Sequence, residues 1–491
     1  MISDKFAAKR RASLIRSLGQ VGSVIGSSEA HSEAEASNAE SFYAADRRIG
    51  CVFGAMSLTA TQVSAGTLIG TIGIHYAVGV SFGLVWLGIW AGWVASLLFV
   101  GPQLRARGGI TVSEFLSARF DGDNEVVGGT TAALVSVIYL VYTTAQYVAG
   151  AVVLDAVFGV PRVLGIAAFA AVALSYTLVG GIRLSIYSDA VQVATLLLGV
   201  AAAAVVGVAE TGGAGALIDA AAAIDPALLS ATSAPALTTG LALSFGFGIA
   251  VAPYELSRVY AMRDPETVKR AIPISIAIQA VIAVCILTLG LLARVRFPGL
   301  ADPDASVVRL ALDLFGPAVG LLLLGAVVAA VLSTVDSVLL VTSAAVAHDI
   351  YERTLPAVGL VPEPTPAGVR RVSRIATVGA AVVPAALAVN PGPLGGVVQL
   401  IVALYTSVLG STLFVPVLGG LHWDAATGGG ALAGVVVGFL TATAWQVLTE
   451  VWKVGALGSL TALDPVVPGV GASAVAFVAV SLADDSRLGS G

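Results

Sequence analysis

The sequence predicts an all-α polytopic membrane protein of about twelve transmembrane helices, in which two five-helix repeats of inverted topology precede two further helices. Three observations predict it. Of 491 residues, 57% are hydrophobic and 11% charged, at a mean hydropathy of +0.94, against about 25% charged residues in a soluble domain. The apolar residues gather into runs close to the ~20 residues that cross a bilayer as a helix. The basic residues segregate: with the first 49 residues inside, only Arg162, Arg294, Arg296, Arg309 and Lys453 of the 25 Lys and Arg fall outside, as the positive-inside rule requires. Both termini are then cytoplasmic, and the expected location is the cytoplasmic membrane.

The segment 1–49 is polar, basic at Lys9-Arg10-Arg11 and acidic from Glu29 to Glu40. It reads as a partly disordered cytoplasmic tail and is too polar for a cleaved signal peptide. The apolar runs follow at 50–76, 82–104, 126–157, 162–180 and 186–209, which form the first repeat, 50–209. An outer loop, 210–236, carries no Lys or Arg and includes a small surface helix. The second repeat, 237–420, holds runs at 237–261, 271–293, 316–347, 374–390 and 394–420, and the final segment, 421–491, holds 428–449 and 466–484. Cys51 and Cys285 lie in different runs and give no disulfide or metal framework. A net charge of −5 without a basic block excludes nucleic acid as a partner.

The repeat organisation comes from two interrupted spans. The first run carries Thr59-Ala60-Thr61-Gln62-Val63-Ser64-Ala65-Gly66-Thr67, and the sixth carries Ser244-Phe245-Gly246-Phe247-Gly248 followed by Pro253. Glycines and hydroxyls lower the cost of unwinding, and broken helices in corresponding positions of two halves point to a transporter's binding site. The eighth run holds Ser333-Thr334-Val335-Asp336-Ser337 at membrane depth. In hydrocarbon such groups face a cavity, an ion or another helix, and the cluster reads as half of a sodium site.

Several stretches resemble the sodium:solute symporter family, relatives of the bacterial proline and pantothenate symporters. They are Ser64-Ala65-Gly66-Thr67-Leu68-Ile69-Gly70, Gly180-Gly181-Ile182-Arg183 with Ser188-Asp189-Ala190-Val191-Gln192, Ser333 to Leu340 with His348-Asp349-Ile350-Tyr351, and Gly430-Ala431-Leu432-Ala433-Gly434. They occur in family order across about residues 40–480. The resemblance implies a leucine-transporter-like fold and sodium-coupled import of a small organic solute by alternating access, with sodium as coupling ion, no further cofactor and no enzymatic activity. The family's usual extra helix ahead of the Tyr43–Gly50 region is replaced here by polar sequence.

By the same resemblance, sodium is bound by the backbone carbonyls of Ala60, Val63 and Ala330 and the hydroxyls of Ser333 and Thr334. Five neutral oxygens suit a monovalent ion better than calcium or magnesium. Solute is expected at mid-membrane beside the broken helices, against Gln62, Ser64, Thr67, Tyr142, Gln146 and Phe245. Tyr142 and Phe245 match aromatic positions of the proline symporter's pocket, whereas Ile249 stands where that symporter has a second aromatic. Gln62 replaces an aspartate important there for sodium use. The run Met56 to Thr61 and the loop at Ile224-Asp225-Pro226 look more like the pantothenate branch, so pantothenate-, proline- and monocarboxylate-like solutes all stay open. Asp189 and Asp336 are candidate coupling carboxylates. Proton coupling through either one, a channel, or a transport-derived nutrient sensor are the alternative readings. The G-x-S-x-G match Gly79-Val80-Ser81-Phe82-Gly83 bridges two spans and lacks the strand-turn-helix context of a hydrolase elbow.

Overall fold

A computed structural model describes residues 43–64, 66–121, 125–390 and 398–488, and the polar segment up to residue 42 lies outside the described residues, as does the start of the run 394–420. The principal helices, in chain order, are α1 (Cys51–Gln62), α2 (Thr71–Val78), α3 (Gly83–Ala95), α4 (Val112–Phe120), α5 (Val126–Phe158), α6 (Arg162–Glu210) and α7 (Pro235–Val251). They continue as α8 (Pro253–Ala261), α9 (Pro265–Arg296), α10 (Ser306–Ala344), α11 (Pro366–Val389), α12 (Val398–His422), α13 (Gly428–Gln446) and α14 (Val466–Leu488). The outer loop carries the expected small helix, Ala214–Ile224.

Among the described residues, ten helices are long and apolar enough to cross a membrane. The sequence count of twelve differs at two places. The first run is broken, and its second half continues through a turn into the next span as Gly66–Arg107. That turn is set by Gly79, whose φ of 64° and contact with the Leu228 backbone both exclude a side chain. The runs 162–180 and 186–209 are covered by one helical stretch, α6, within which Ile182–Glu210 has membrane-span character. Gly180-Gly181 costs a helix about 1 kcal/mol per glycine, which does not by itself end one. The eighth run does begin where the sequence places it: Gly316 at φ 65° and ψ 178° separates the start of α10 from its membrane part.

The sixth span breaks later than its glycines suggest. Ser244 to Gly248 remain helical in α7, and the chain leaves the helix at Ala252 (φ −62°, ψ 115°), directly before Pro253. A residue preceding proline is sterically pushed out of the α region, and proline brings no N–H to continue the ladder. The glycines serve packing instead: a methyl group at Gly92 of α3 would meet the Gly246 carbonyl at 2.6 Å, and one at Gly248 would meet the Thr406 carbonyl of α12 at 2.8 Å. Small residues let membrane helices approach where no hydrophobic force draws them together. Gly248→Val is therefore expected to overpack the α7–α12 contact by about 1–3 kcal/mol, read as a several-fold loss of monodisperse protein by fluorescence-detected size exclusion.

Candidate ion and solute site

Helix α1 stops at Gln62 because the local hydroxyls compete for its backbone. Thr59 Oγ1 donates to the Ala55 carbonyl at 2.9 Å and Thr61 Oγ1 to the Ser57 carbonyl at 2.7 Å. Past the break, Ser64 N–H and Thr67 Oγ1 both turn to the Gln62 carbonyl, at 3.0 and 2.8 Å, and Gly66 N–H donates to Ser64 Oγ at 3.1 Å. Val63 N–H still reaches the Thr59 carbonyl at 2.9 Å. Among the described residues, no hydrogen bond reaches the carbonyls of Ala60 and Val63, although these residues are 4% and 1% exposed. Buried carbonyls without donors are what a cation site at a broken membrane helix requires.

The opposing wall is α10, which packs on α1. Thr334 Oγ1 lies 3.4 Å from the Ala330 carbonyl, about the edge of an octahedron of oxygens placed ~2.4 Å from an ion. Ser333 Oγ donates to Asp189 Oδ1, which leaves its lone pairs free to face a cation. Asp189 Oδ2 also receives Ser57 Oγ at 2.5 Å. One carboxylate thus ties Ser57 of α1 to Ser333 of α10.

Arg258 completes this core. The sequence reading puts it in cytoplasmic solvent, but the structure buries it completely. Its guanidinium pairs with Asp189 at 3.3 Å and donates to Ser185 Oγ at 2.7 Å, Ser337 Oγ at 2.5 Å, Ser257 Oγ at 3.1 Å and Ser57 Oγ at 3.3 Å. Once α7 breaks at Ala252, the half-helix α8 turns this residue into the bundle, an orientation the charge count had no means of seeing. Asp189 is accordingly half of an ion pair rather than a free carboxylate. Asp336, 1% exposed, sits beside the same pair.

A separate cavity lies at the breaks. Of the six residues expected to face solute, Gln62, Ser64, Thr67, Tyr142 and Phe245 line it, while Gln146, one turn beyond Tyr142, is buried outside the lining. Trp86, Tyr254 and Tyr405 also line it and were missed by the sequence reading. Tyr405 stacks on Tyr142 with ring centres 3.9 Å apart, and the Tyr254 N–H freed by the break donates to Tyr139 Oη at 2.9 Å. Tyrosines from α5, α8 and α12 thus form one wall. A tyrosine two residues before a glutamate-free stretch would carry no signal, but Tyr254 precedes Glu255, a lone acid within an apolar span, and that is a legible mark.

The end of the bundle assigned to the cytoplasm by the charge count is latched. Arg353 bridges Glu114 of α4 at 3.0 Å and Glu125 at 2.7 Å, and Thr111 Oγ1 donates to Asp349 at 2.8 Å. Burial alone raises the Glu114 carboxyl, but the His348 hydrogen bond and charge, then the Ile110 N–H and Arg353, hold it down at about 2. Because this value is depressed, the stabilisation is complete above the ordinary glutamate range and is lost as pH falls toward about 2. Glu114→Gln is expected to cost about 1 kcal/mol at this partly solvated site, seen as about fivefold faster amide exchange over 112–120 at neutral pH.

Two broken helices in corresponding positions, buried carbonyls at the first break that no donor among the described residues reaches, and an aromatic cavity between them define an ion-coupled secondary transporter. The profile of the "Sodium:solute symporter family" matches residues 42–438, and the chain belongs to that family. The osmoregulated proline transporter OpuE of Bacillus subtilis is 26% identical over 446 residues, covering 89% of this chain and 88% of that protein. A sodium/proline symporter of Staphylococcus aureus is 25% identical over 459 residues, covering 90% and 87%. Among solved structures, a Na+-coupled sialic acid symporter in a substrate-bound, outward-open state superposes with a TM-score of 0.75 at 18% identity, covering 91% of this chain and 93% of that one. Mhp1, a nucleobase-cation-symport transporter, superposes at 0.59 with 15% identity, covering 91% and 94%. The fold is therefore the leucine-transporter-like one. The protein is a multi-pass membrane protein and a sodium-coupled symporter of a small organic solute, not an enzyme.

Proposed function

We propose that the protein imports a small zwitterionic amino acid, with L-proline the first candidate, together with one sodium ion per cycle. The observation that carries this reading is the pair of buried carbonyls at Ala60 and Val63 that no donor among the described residues reaches, on the helix that Asp189 ties through Ser57 to Ser333 of α10. The five oxygens are neutral, so the ion brings a net positive charge that a zwitterion leaves unbalanced across the membrane. One sodium entering down an inside-negative potential of about 100 mV gains about 2.3 kcal/mol and each tenfold gradient about 1.4, so a zwitterion is concentrated roughly 500-fold. A monoanion forfeits the voltage contribution, which weighs against monocarboxylate and pantothenate as the principal cargo.

The tyrosine wall of the cavity supports a partly apolar solute. Gln62, Ser64 and Thr67 supply polar groups at the break where the solute's carboxylate and amine bind. Asp189 is already balanced by Arg258, which supports a single sodium rather than two. Both termini face the cytoplasm in this reading, which puts the Glu114–Arg353 latch inside. Uptake of labelled L-proline, pantothenate and acetate into proteoliposomes, with and without an inward sodium gradient, tests it. Sodium-driven accumulation of proline alone supports the reading, and sodium-driven accumulation of pantothenate alone overturns the choice of cargo.

A further inference from the structure

Neither the ion site nor the cavity lining includes the buried acid Glu255. Glu255, on α8 just past the break, is 1% exposed, and Tyr254 Oη donates to its Oε1 at 3.0 Å. Its Oε2 is fully buried and has no hydrogen-bond partner among the described residues. Tyr405 Oη in turn donates to Tyr254 Oη at 3.2 Å. Tyr254 and Tyr405 both line the solute cavity, whereas Glu255 does not. Two hydroxyls therefore connect the cavity to a carboxyl group that solute itself does not touch.

We infer that Glu255 is a second cation-binding site of the transport cycle, one that takes a proton from the solute cavity through the hydroxyls of Tyr405 and Tyr254. A carboxylate buried without a counter-ion costs several kcal/mol, which a bound cation removes. A metal ion needs several more oxygen ligands and a route of its own width. A proton needs neither, and hydrogen-bonded hydroxyls conduct it. The step balances: hydronium in the cavity gives a proton to Tyr405 Oη and becomes water, the Tyr405 proton passes to Tyr254 Oη, and the Tyr254 proton passes to Glu255 Oε1. The carboxylate becomes a carboxylic acid and both tyrosines end as neutral phenols.

The groups that face Glu255 are Tyr139 and Tyr142 of α5, Tyr405 of α12 and Tyr254 of its own helix. Charged groups on the other elements around α8 are engaged elsewhere. Arg105 donates to the Met262 and Arg263 carbonyls, Arg47 to the Gly109 carbonyl, and Arg258 binds Asp189 with Asp336 alongside. No cation among these reaches the carboxyl group, so its occupancy follows the proton supply in the cavity.

The test is pH-difference infrared spectroscopy of the reconstituted full chain between about pH 5 and about pH 8, which requires no knowledge of the solute. Wild type is expected to gain a carboxylic-acid C=O band at low pH that is missing in the near-isosteric Glu255→Gln and displaced, but present, in Tyr254→Phe. The same band persisting in Glu255→Gln and vanishing in Asp336→Asn overturns the assignment, as does a spectrum without any titrating carboxyl. In proteoliposomes with equal sodium on both sides, one unit of inward pH gradient is expected to accumulate labelled L-proline up to about tenfold in wild type and not in Glu255→Gln. Absence of all proline uptake with the infrared band intact removes the proposed cargo and leaves the proton site standing.

Discussion

Replacing Ser333 and Thr334 together by alanine is expected to raise the sodium concentration for half-maximal uptake by about 100-fold or more, since each hydroxyl facing a charge contributes roughly 1.5–3 kcal/mol. The two substitutions act differently. Thr334→Ala removes a hydroxyl whose only other bond among the described residues is a long one to Ala330, so its effect is expected to fall on the ion. Ser333→Ala also strips one of the hydrogen bonds from Asp189 and is expected to lower thermal stability as well. Sodium titration of uptake, paired with thermal unfolding of each single variant, separates the two. A double variant with unchanged sodium dependence places the ion elsewhere.

Arg258→Met is expected to be the most damaging single change in the bundle, at about 3–5 kcal/mol, because it leaves Asp189 charged, buried and without its cation. The penalty belongs to the orphaned carboxylate more than to the missing contacts. Asp189→Asn placed on the Arg258→Met background is therefore expected to recover most of the loss, and Arg258→Met/Asp189→Leu to approach wild-type stability. A double-mutant cycle by thermal unfolding in detergent measures the coupling directly. Additive effects in that cycle, with no recovery, contradict the account of the ion pair. Neither rescued variant is expected to regain full transport, since leucine removes both acceptors that align α1 with α10 through Ser57 and Ser333, and asparagine keeps only one of the two.

What the sequence shows of this architecture follows from what is local. The break of the first span is written in consecutive residues, Thr59 to Thr67, whose hydroxyls and glycine act on their own backbone. The break of the sixth is written in Pro253, and the nearby Gly246 and Gly248 mislead because glycine answers equally to unwinding and to a neighbour's close approach. The aromatic wall is only half legible. Tyr142 and Phe245 stand at positions a family pattern marks, but the stack of Tyr405 on Tyr142 joins residues of α12 and α5 through tertiary contact alone. Arg258 shows the same limit more sharply: counting charges assigns a residue to a side of the membrane, and only the geometry of a broken helix turns it back inside.

Ile49 ends as a small clasp with a kinetic meaning. Its N–H donates to the Ala261 carbonyl at 3.2 Å, and its carbonyl accepts from Arg263 N–H at 3.0 Å, within an isolated parallel bridge to Met262. The entry to α1 and the exit from α8 are thereby one mechanical piece. Separating them breaks two buried bonds of about 1 kcal/mol each, a delay of roughly thirtyfold on any motion that swings one without the other. Movement of the two half-helices in unison avoids that delay, so the wall of the proposed ion site and the wall of the cavity share a single clock.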